Sequence, residues 1–215
     1  MRTCICINRA YGVDGGAVAG ELARIMNMPV FDSELTELAA KAVGMDPELL
    51  FQNDREKINA WLEAHFNDSS ASEDKLPGDY AGDSPKEIMI HAMEQTIAKV
   101  CRKQNCIILG KGADHVLKRI PDIRAVSVFI SAPYQYRLKS VMAREELTEV
   151  LAKIRIRKID SLRSAFFSYY VPEEMEPVNG RWGGADAYDL CFNAEAMPAE
   201  TMAEIIAFYC RRQFF

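Results

Sequence analysis

A glycine-rich turn between a short apolar run and a helical period constrains this chain most. Residues 3–7 read Thr-Cys-Ile-Cys-Ile, a run that fits a strand buried on both faces. The turn Tyr11-Gly12-Val13-Asp14-Gly15-Gly16 follows, and then Val18, Leu22, Ile25 and Met26 recur at spacings that predict a helix. A strand that turns tightly into a helix aims backbone N–H groups at one spot. The helix dipole adds partial positive charge there, so anions bind. Glycines let the backbone approach phosphate oxygens and adopt positive φ. Taken alone, the turn fits a plain chain reversal equally well.

The rest of the chain repeats the strand-to-helix alternation. Residues 28–31 suit a second short strand, and Asp32 or Ser33 caps a helix reaching about residue 43, with Glu34 and Glu37 near its positive end. Asp46-Pro47-Glu48 opens a helix expected to about residue 66, and the Asp-, Ser-, Gly- and Pro-rich stretch 67–84 is a long loop. From Pro85 a helix resumes, with Met89, Met93, Ile97, Val100 and Cys101 on one stripe. Residues 105–110 form a buried strand ending in a second glycine turn, Gly110-Lys111-Gly112, and 125–130 form another. Helices are expected at 133–145 and, with many basic residues, at 147–170. An irregular segment at 171–187, a last strand at 190–192 and a closing helix with Met202, Ile205, Ile206 and Tyr209 complete the chain. Such alternation indicates right-handed βαβ units and a parallel sheet, an α/β fold.

At 215 residues the chain suits one domain with a small appended lobe. A net charge of −5 argues against bulk affinity for nucleic acid or membrane surfaces. No apolar run approaches the ~18 residues of a membrane span. The opening apolar stretch is too short for a secretory signal, with Arg9 close behind, so a cytoplasmic location is expected. None of the cysteines (Cys4, Cys6, Cys101, Cys106, Cys191, Cys210) stands in a zinc-type spacing. Cys4 and Cys6, two apart in a strand-like run, are expected to share one face as small buried apolar groups, and the cysteines as a set to be structural, with no metal site. His65, His91 and His115 have no partner in sequence and read as surface or satisfied histidines. The apolar end Phe214-Phe215 can cover a partner or its own core, which leaves a homo-oligomer open.

The segments RAYGVDGGAVAGELA, PVFDSELTELAAKAVG, CIILGKGADHVL, VFISAPYQYRLKSVMARE, DSLRSAFFSYY and AYDLCFNAE together resemble the cytidylate-kinase-like family of P-loop proteins. The likeness runs from about Cys4 to Ile206 and is weakest in the 67–84 loop. It implies a three-layer P-loop NTPase-like fold, with a parallel sheet of about five strands flanked by helices and a helical lid. It implies one kinase-like domain over 1–215, with a core at about 1–44, 85–134 and 187–215. An acceptor-side lobe is expected at about 45–84 and a lid region at about 135–186. It further implies ATP and Mg2+, and phosphoryl transfer to a nucleoside monophosphate or other small phosphorylated acceptor.

Carried over by position, Gly12, Val13, Asp14, Gly15, Gly16, Ala17 and Val18 become the phosphate cradle, with Arg9 as an upstream phosphate ligand. Asp32, Lys111 and Asp114 become acceptor-side groups, Lys111 standing where the family usually has an arginine (Gly-Arg-Cys-Ala-Asp). A lysine neutralises charge there but lacks the bidentate guanidinium fork. Arg137, Arg144 and Arg163 become catalytic lid arginines, supplying charge to a transfer that needs mainly positioning and neutralisation. Arg144, followed by Glu145 and Glu146, also suits a surface ion pair. Asp160 and Arg163 share a helical face and can pair in the empty site. Trp182 beside Gly183, with Asp186 or Asp189 downstream, is either a gate over the site or an anchor on the sheet.

The loop departs from an active kinase in its charges. A standard loop reads GxxxxGK[ST]: its lysine reaches the β/γ phosphates and its hydroxyl binds magnesium. Gly16 and Ala17 offer neither. Where the family commonly reads Gly-Ser-Gly-Gly-Arg, Asp14 replaces a glycine and Gly16 the arginine. An aspartate inside a phosphate cradle repels phosphate unless a cation such as Arg9 screens it or it points outward. Losing charge stabilisation of this kind costs roughly 3–4 kcal/mol of barrier. The alternative to a kinase is therefore a catalytically impaired nucleotide or anion sensor, and a third reading is a structural module with a vestigial site.

Overall fold

The computed structural model describes residues 1–43, 85–170 and 181–214. The helix expected at 46–66, the loop at 67–84 and the whole of the lobe at 45–84 lie outside the described residues, as does 171–180 of the irregular segment. Five strands are described: β1 (Arg2–Arg9), β2 (Val30–Phe31), β3 (Cys106–Leu109), β4 (Ile123–Ser131) and β5 (Leu190–Asn193). Seven helices accompany them: α1 (Gly15–Met26), α2 (Ser33–Ala42), α3 (Pro85–Lys103), α4 (Ala113–Lys118), α5 (Tyr134–Glu145), α6 (Glu149–Tyr170) and α7 (Ala199–Phe214). The chain divides into two compact units, one of Met1–Phe31 with Cys101–Phe215 and one of Asp32–Val100.

The first unit holds the sheet, all parallel, in the order β2-β3-β1-β4-β5. β1 lies at the centre of that order, and its residues from Thr3 to Asn8 are all buried. A parallel strand covered on both faces reads as an unbroken apolar run, which is what residues 3–7 show. Ile5, Ile7, Ile107, Val128 and Ile130 from the strands pack with Val18 and Leu22 of α1 and Met202 and Ile206 of α7. Burial of each large side chain stabilises by roughly 1.5–3 kcal/mol.

Several polar anchors fix the sheet's second half. Asp189 Oδ2 accepts from both the backbone N–H and the hydroxyl of Ser127, each at 2.7 Å, which sets β5 against β4. Trp182 lies edge-on to Phe129 with ring centroids 5.3 Å apart, so it anchors on the sheet. Phe214 is drawn back onto this unit, its carbonyl accepting from Arg124 Nη1 at 2.7 Å and its ring lying under the same guanidinium. No described helix is long and apolar enough to cross a membrane.

The second unit contains α2 and α3 as far as Val100. α2 buries Leu35, Thr36, Ala39 and Ala40 on one stripe, and α3 buries Ile88, Met89, Ala92, Met93 and Ile97. Asp32 stands at the N-cap of α2 without a side-chain capping bond; its N–H donates to Glu34 Oε2 at 3.0 Å.

Candidate functional site

Because the strands are parallel, the turns after β1, β3 and β4 leave from one edge of the sheet, and β1 is where the strand order reverses. That crevice is the usual ligand position in open α/β sheets. Here the turn after β1 is shaped by what it touches. Gly12 has φ +96°, and a Cβ there would sit 2.8 Å from both Cβ and the carbonyl oxygen of Arg137. Glycine alone allows this approach of the loop to α5. Val13 is buried in the main core, while Asp14, Gly16 and Ala17 face solvent and Val18 is fully buried.

Asp14 is the N-cap of α1. Its Oδ1 accepts from Ala17 N–H at 2.9 Å, so one amide of the helix N-terminus already carries a carboxylate. The aspartate faces solvent while its carboxylate covers this amide of the helix N-terminus. Arg9 runs beneath the same turn: a Cβ on Gly15 would lie 3.1 Å from Arg9 Cδ, and one on Gly110 would lie 3.0 Å from Arg9 Nη1. These two glycines leave the channel through which the Arg9 guanidinium reaches the β3–α4 turn.

A web of arginines and carboxylates then binds the loop to α5 and α6. Tyr11 N–H donates to Asp160 Oδ1 at 2.7 Å, and Arg137 Nη1 donates to Asp160 Oδ2 at 2.6 Å and to the Tyr11 carbonyl at 3.0 Å. Arg163 Nη1 donates to the Arg9 carbonyl at 2.8 Å. The sequence pattern paired Asp160 with Arg163; the described ion pair of Asp160 is with Arg137, one helix away. Arg137 Nε is buried and has no hydrogen-bond partner among the described residues.

Tyr11 is the hub. Its ring packs on the small core of Leu138, Val141, Ala152 and Ile156 between α5 and α6. The guanidinium carbons of Arg144, Arg163 and Arg155 lie 5.2, 5.4 and 5.9 Å from the ring centroid. Its hydroxyl is hydrogen-bonded to Glu145 Oε1, and Glu145 also accepts from Arg144 at 3.0 Å and Arg155 at 3.2 Å. Burial alone would raise the Glu145 carboxyl, but the Tyr11 hydrogen bond and the two guanidiniums outweigh it and hold it below the usual range. Arg144 is thus both a partner of Glu145 and part of the ring around Tyr11.

The second turn contributes a different chemistry. Gly110, Lys111 and Gly112 all have positive φ, at +73°, +65° and +66°. Lys111 is therefore a lysine in a left-handed conformation, at a cost of about 1–2 kcal/mol. α4 follows, and Asp114 within it is 1% exposed. Asn8 Nδ2 donates to Asp114 Oδ1 at 3.2 Å, while Oδ2 faces His115 Nε2 at 3.5 Å. His115 is roofed by Tyr170, stacked at 5.8 Å, and by Phe167, edge-on at 4.7 Å. Tyr188 completes the cluster; burial first, and then Asp114, push its hydroxyl well above the usual range.

Burial pushes the His115 imidazolium down, more than the facing Asp114 pushes it up, with Lys118 and Arg119 adding to the depression. The folded state therefore resists a proton that the unfolded chain accepts. This contribution to stability is complete above the unfolded pKa, about 6.5, and is lost as pH falls below it. The urea midpoint should drop between about pH 7.5 and 5.5, and His115→Phe should flatten that drop. An identical pH profile in the variant would show that His115 is not the group responsible.

The structure thus brings Arg9, Gly12, Asp14, Gly15, Arg137, Arg144 and Arg163 to one loop, and Lys111 and Asp114 to the turn that Arg9 reaches. Asp32 belongs to the second unit. Sequence reading missed Tyr11 and Arg155, and it passed over His115, which sits inside the Asp114 cluster. A tyrosine ahead of a glycine turn and an aspartate beside a histidine were the only signals available.

The Cytidylate kinase-like family matches residues 4–196. The chain belongs to that family. Among solved structures it is similar to an uncharacterized protein from Eubacterium ventriosum ATCC 27560, with 24% identity over 99% of each chain and a TM-score of 0.67. It is also similar to a shikimate kinase from Bacteroides thetaiotaomicron, with 11% identity over 97% of this chain and 98% of that one and a TM-score of 0.51. These likenesses establish the kinase-like P-loop fold in this member of the Cytidylate kinase-like family. No match was found among curated proteins.

Proposed function

We propose that this chain is a nucleotide- or anion-binding protein of the Cytidylate kinase-like family in which phosphoryl transfer is impaired. The observation that carries the reading is the Asp14 carboxylate on Ala17 N–H, 2.9 Å away, where a phosphate oxygen would otherwise accept. The loop has no lysine for the β/γ phosphates and no hydroxyl for magnesium. Its residues do not fit a magnesium–ATP chelate.

Binding is still supported. Arg9, Arg137, Arg144, Arg155 and Arg163 surround one loop, against Asp14, Glu145 and Asp160, and Arg137 Nε is an unused buried donor. A phosphate would compete with the internal carboxylates for these guanidiniums, an exchange of one anion for another rather than burial of a new charge. Lys111 and Asp114 would then lie on the acceptor side, as polar groups for the ligand's distal end. The gathered arginines also favour a second reading, transfer to a small acceptor.

Calorimetry with ATP, with and without magnesium, should be run beside a coupled phosphotransfer assay across nucleoside monophosphates and other small hydroxyl acceptors. The expected result is ATP binding that weakens with salt, no requirement for magnesium, and no turnover. Turnover with any acceptor would establish the kinase reading instead. If neither ATP nor inorganic phosphate binds or raises the melting temperature, the site is vestigial and the chain acts as a structural module.

A further inference from the structure

Three cysteines distant in sequence meet at one point of the first unit. Cys4 in β1 and Cys106, which opens β3, are register partners on adjacent parallel strands, so their side chains share a face of the sheet. Cys101, in the last turn of α3, lies over them. Cys106 Sγ is 3.5 Å from Cys101 Sγ and 3.7 Å from Cys4 Sγ, and all three sulfurs fall within 4.8 Å of one another. Each residue is fully buried. The three are free thiols.

The spacing suits a single ion. Three sulfurs at about 2.3 Å from a central metal in a plane lie about 4.0 Å apart, close to the separations already present. The group comprises three soft sulfurs with no imidazole or carboxylate. Zinc sites take four ligands, whereas thiolates in low coordination select soft monovalent copper. Among the described residues, no further His, Cys, Asp or Glu joins the group as a fourth ligand.

We propose that Cys4, Cys101 and Cys106 form a binding site for a thiophilic monovalent d10 cation, with Cu(I) as its ligand. Binding exchanges protons for metal: two or three S–H bonds are lost, three S–Cu bonds form, a sulfur that keeps its proton binding through a lone pair, and the released protons pass to solvent. No electron is transferred. Keeping one proton on the trio limits the buried net charge to a single negative unit, which is the less costly arrangement. Since none of these three thiols reaches the surface, the ion must enter during folding or a local opening of β1 and the α3 end, so loading should be slow and faster on refolding.

The test uses the full reduced chain without oxygen, titrated with Cu(I) against a colorimetric Cu(I) chelator, both directly and on refolding. About one copper per chain should survive desalting, and X-ray absorption should report three sulfurs at about 2.3 Å. Cys106→Ala should lose affinity by more than the roughly 100-fold that removing an outer-shell partner costs, while Cys191→Ala, altering the exposed cysteine, should bind as wild type does. Absence of retained copper overturns the proposal. So does a wild-type chain holding zinc but not Cu(I), or an undiminished affinity in Cys106→Ala. Should Cys106→Ala fail to fold, the wild-type absorption spectrum decides alone, and a shell with nitrogen, oxygen or fewer sulfurs overturns the site.

Discussion

Gly12→Ala should lower stability by about 2–5 kcal/mol, the sum of a left-handed backbone forced on an L-residue and an overpacked contact. The added Cβ would meet Cβ and the carbonyl oxygen of Arg137 at 2.8 Å and its Cα at 3.0 Å. Two of those three atoms are helix backbone and cannot rotate away. Relief therefore requires the loop to lift from α5, which breaks the 3.0 Å bond from Arg137 to the Tyr11 carbonyl and loosens Asp160 from Tyr11 N–H. For a chain of this length the melting temperature should fall by roughly 5–15 °C. Gly20→Ala is the matched control. It lies in α1, where a Cβ would meet nothing within 4 Å, so alanine there should stabilise by about 0.4–1 kcal/mol through helix propensity and a less disordered unfolded chain. If both variants melt with the wild type, the packing of the loop on α5 is not as described.

The contrast between those two glycines shows what a sequence carries and what it does not. Position 12 is recognisable as part of a phosphate-type turn because a buried strand precedes it and a helical period follows, both local patterns. That Gly12 lies against Arg137 depends on a contact spanning the chain, and no local pattern reports it. The same division runs through the fold. β1, β3 and β5 are legible as apolar runs. β4 extends beyond its expected span at both ends, because Arg124 sits in a strand edge that hydropathy alone rejects. The short α4 was hidden behind three left-handed residues that look like the end of an element.

In the candidate site, the arginines gathered around the first turn were singled out only through the family likeness; the groups they contact were not. Tyr11 and Asp160 are 149 residues apart, and Cys4 and Cys106 are 102 apart, so each pairing exists only after the sheet has formed. Asp14 is the instructive exception. An aspartate immediately ahead of a helical period is an ordinary N-cap, with its acceptor reaching the third helical amide, here Ala17. The orientation of its carboxylate was therefore written locally, beneath the more conspicuous glycine pattern.

Asp14→Asn separates the two roles that one side chain now combines. Asparagine caps as well as aspartate, so the bond to Ala17 N–H can persist and stability should change by only a few tenths of a kcal/mol. The negative charge at the mouth of the cradle disappears. A bound phosphate about 4 Å from a solvent-facing carboxylate experiences a repulsion that corresponds to about tenfold in affinity, and more for a dianion. Isothermal titration should accordingly show Asp14→Asn binding ATP and inorganic phosphate at least about tenfold more tightly than wild type at low salt, with the gap narrowing as salt screens the charge. Turnover should stay absent, since the substitution supplies neither the ammonium nor the hydroxyl that transfer needs. Asp14→Ala distinguishes cap from charge: it should gain affinity likewise but lose about 1 kcal/mol of stability with the cap. If Asp14→Asn binds phosphate no better than wild type while remaining folded, the carboxylate does not guard the helix terminus. The arginines around Tyr11 would then serve to hold the loop rather than to receive an anion.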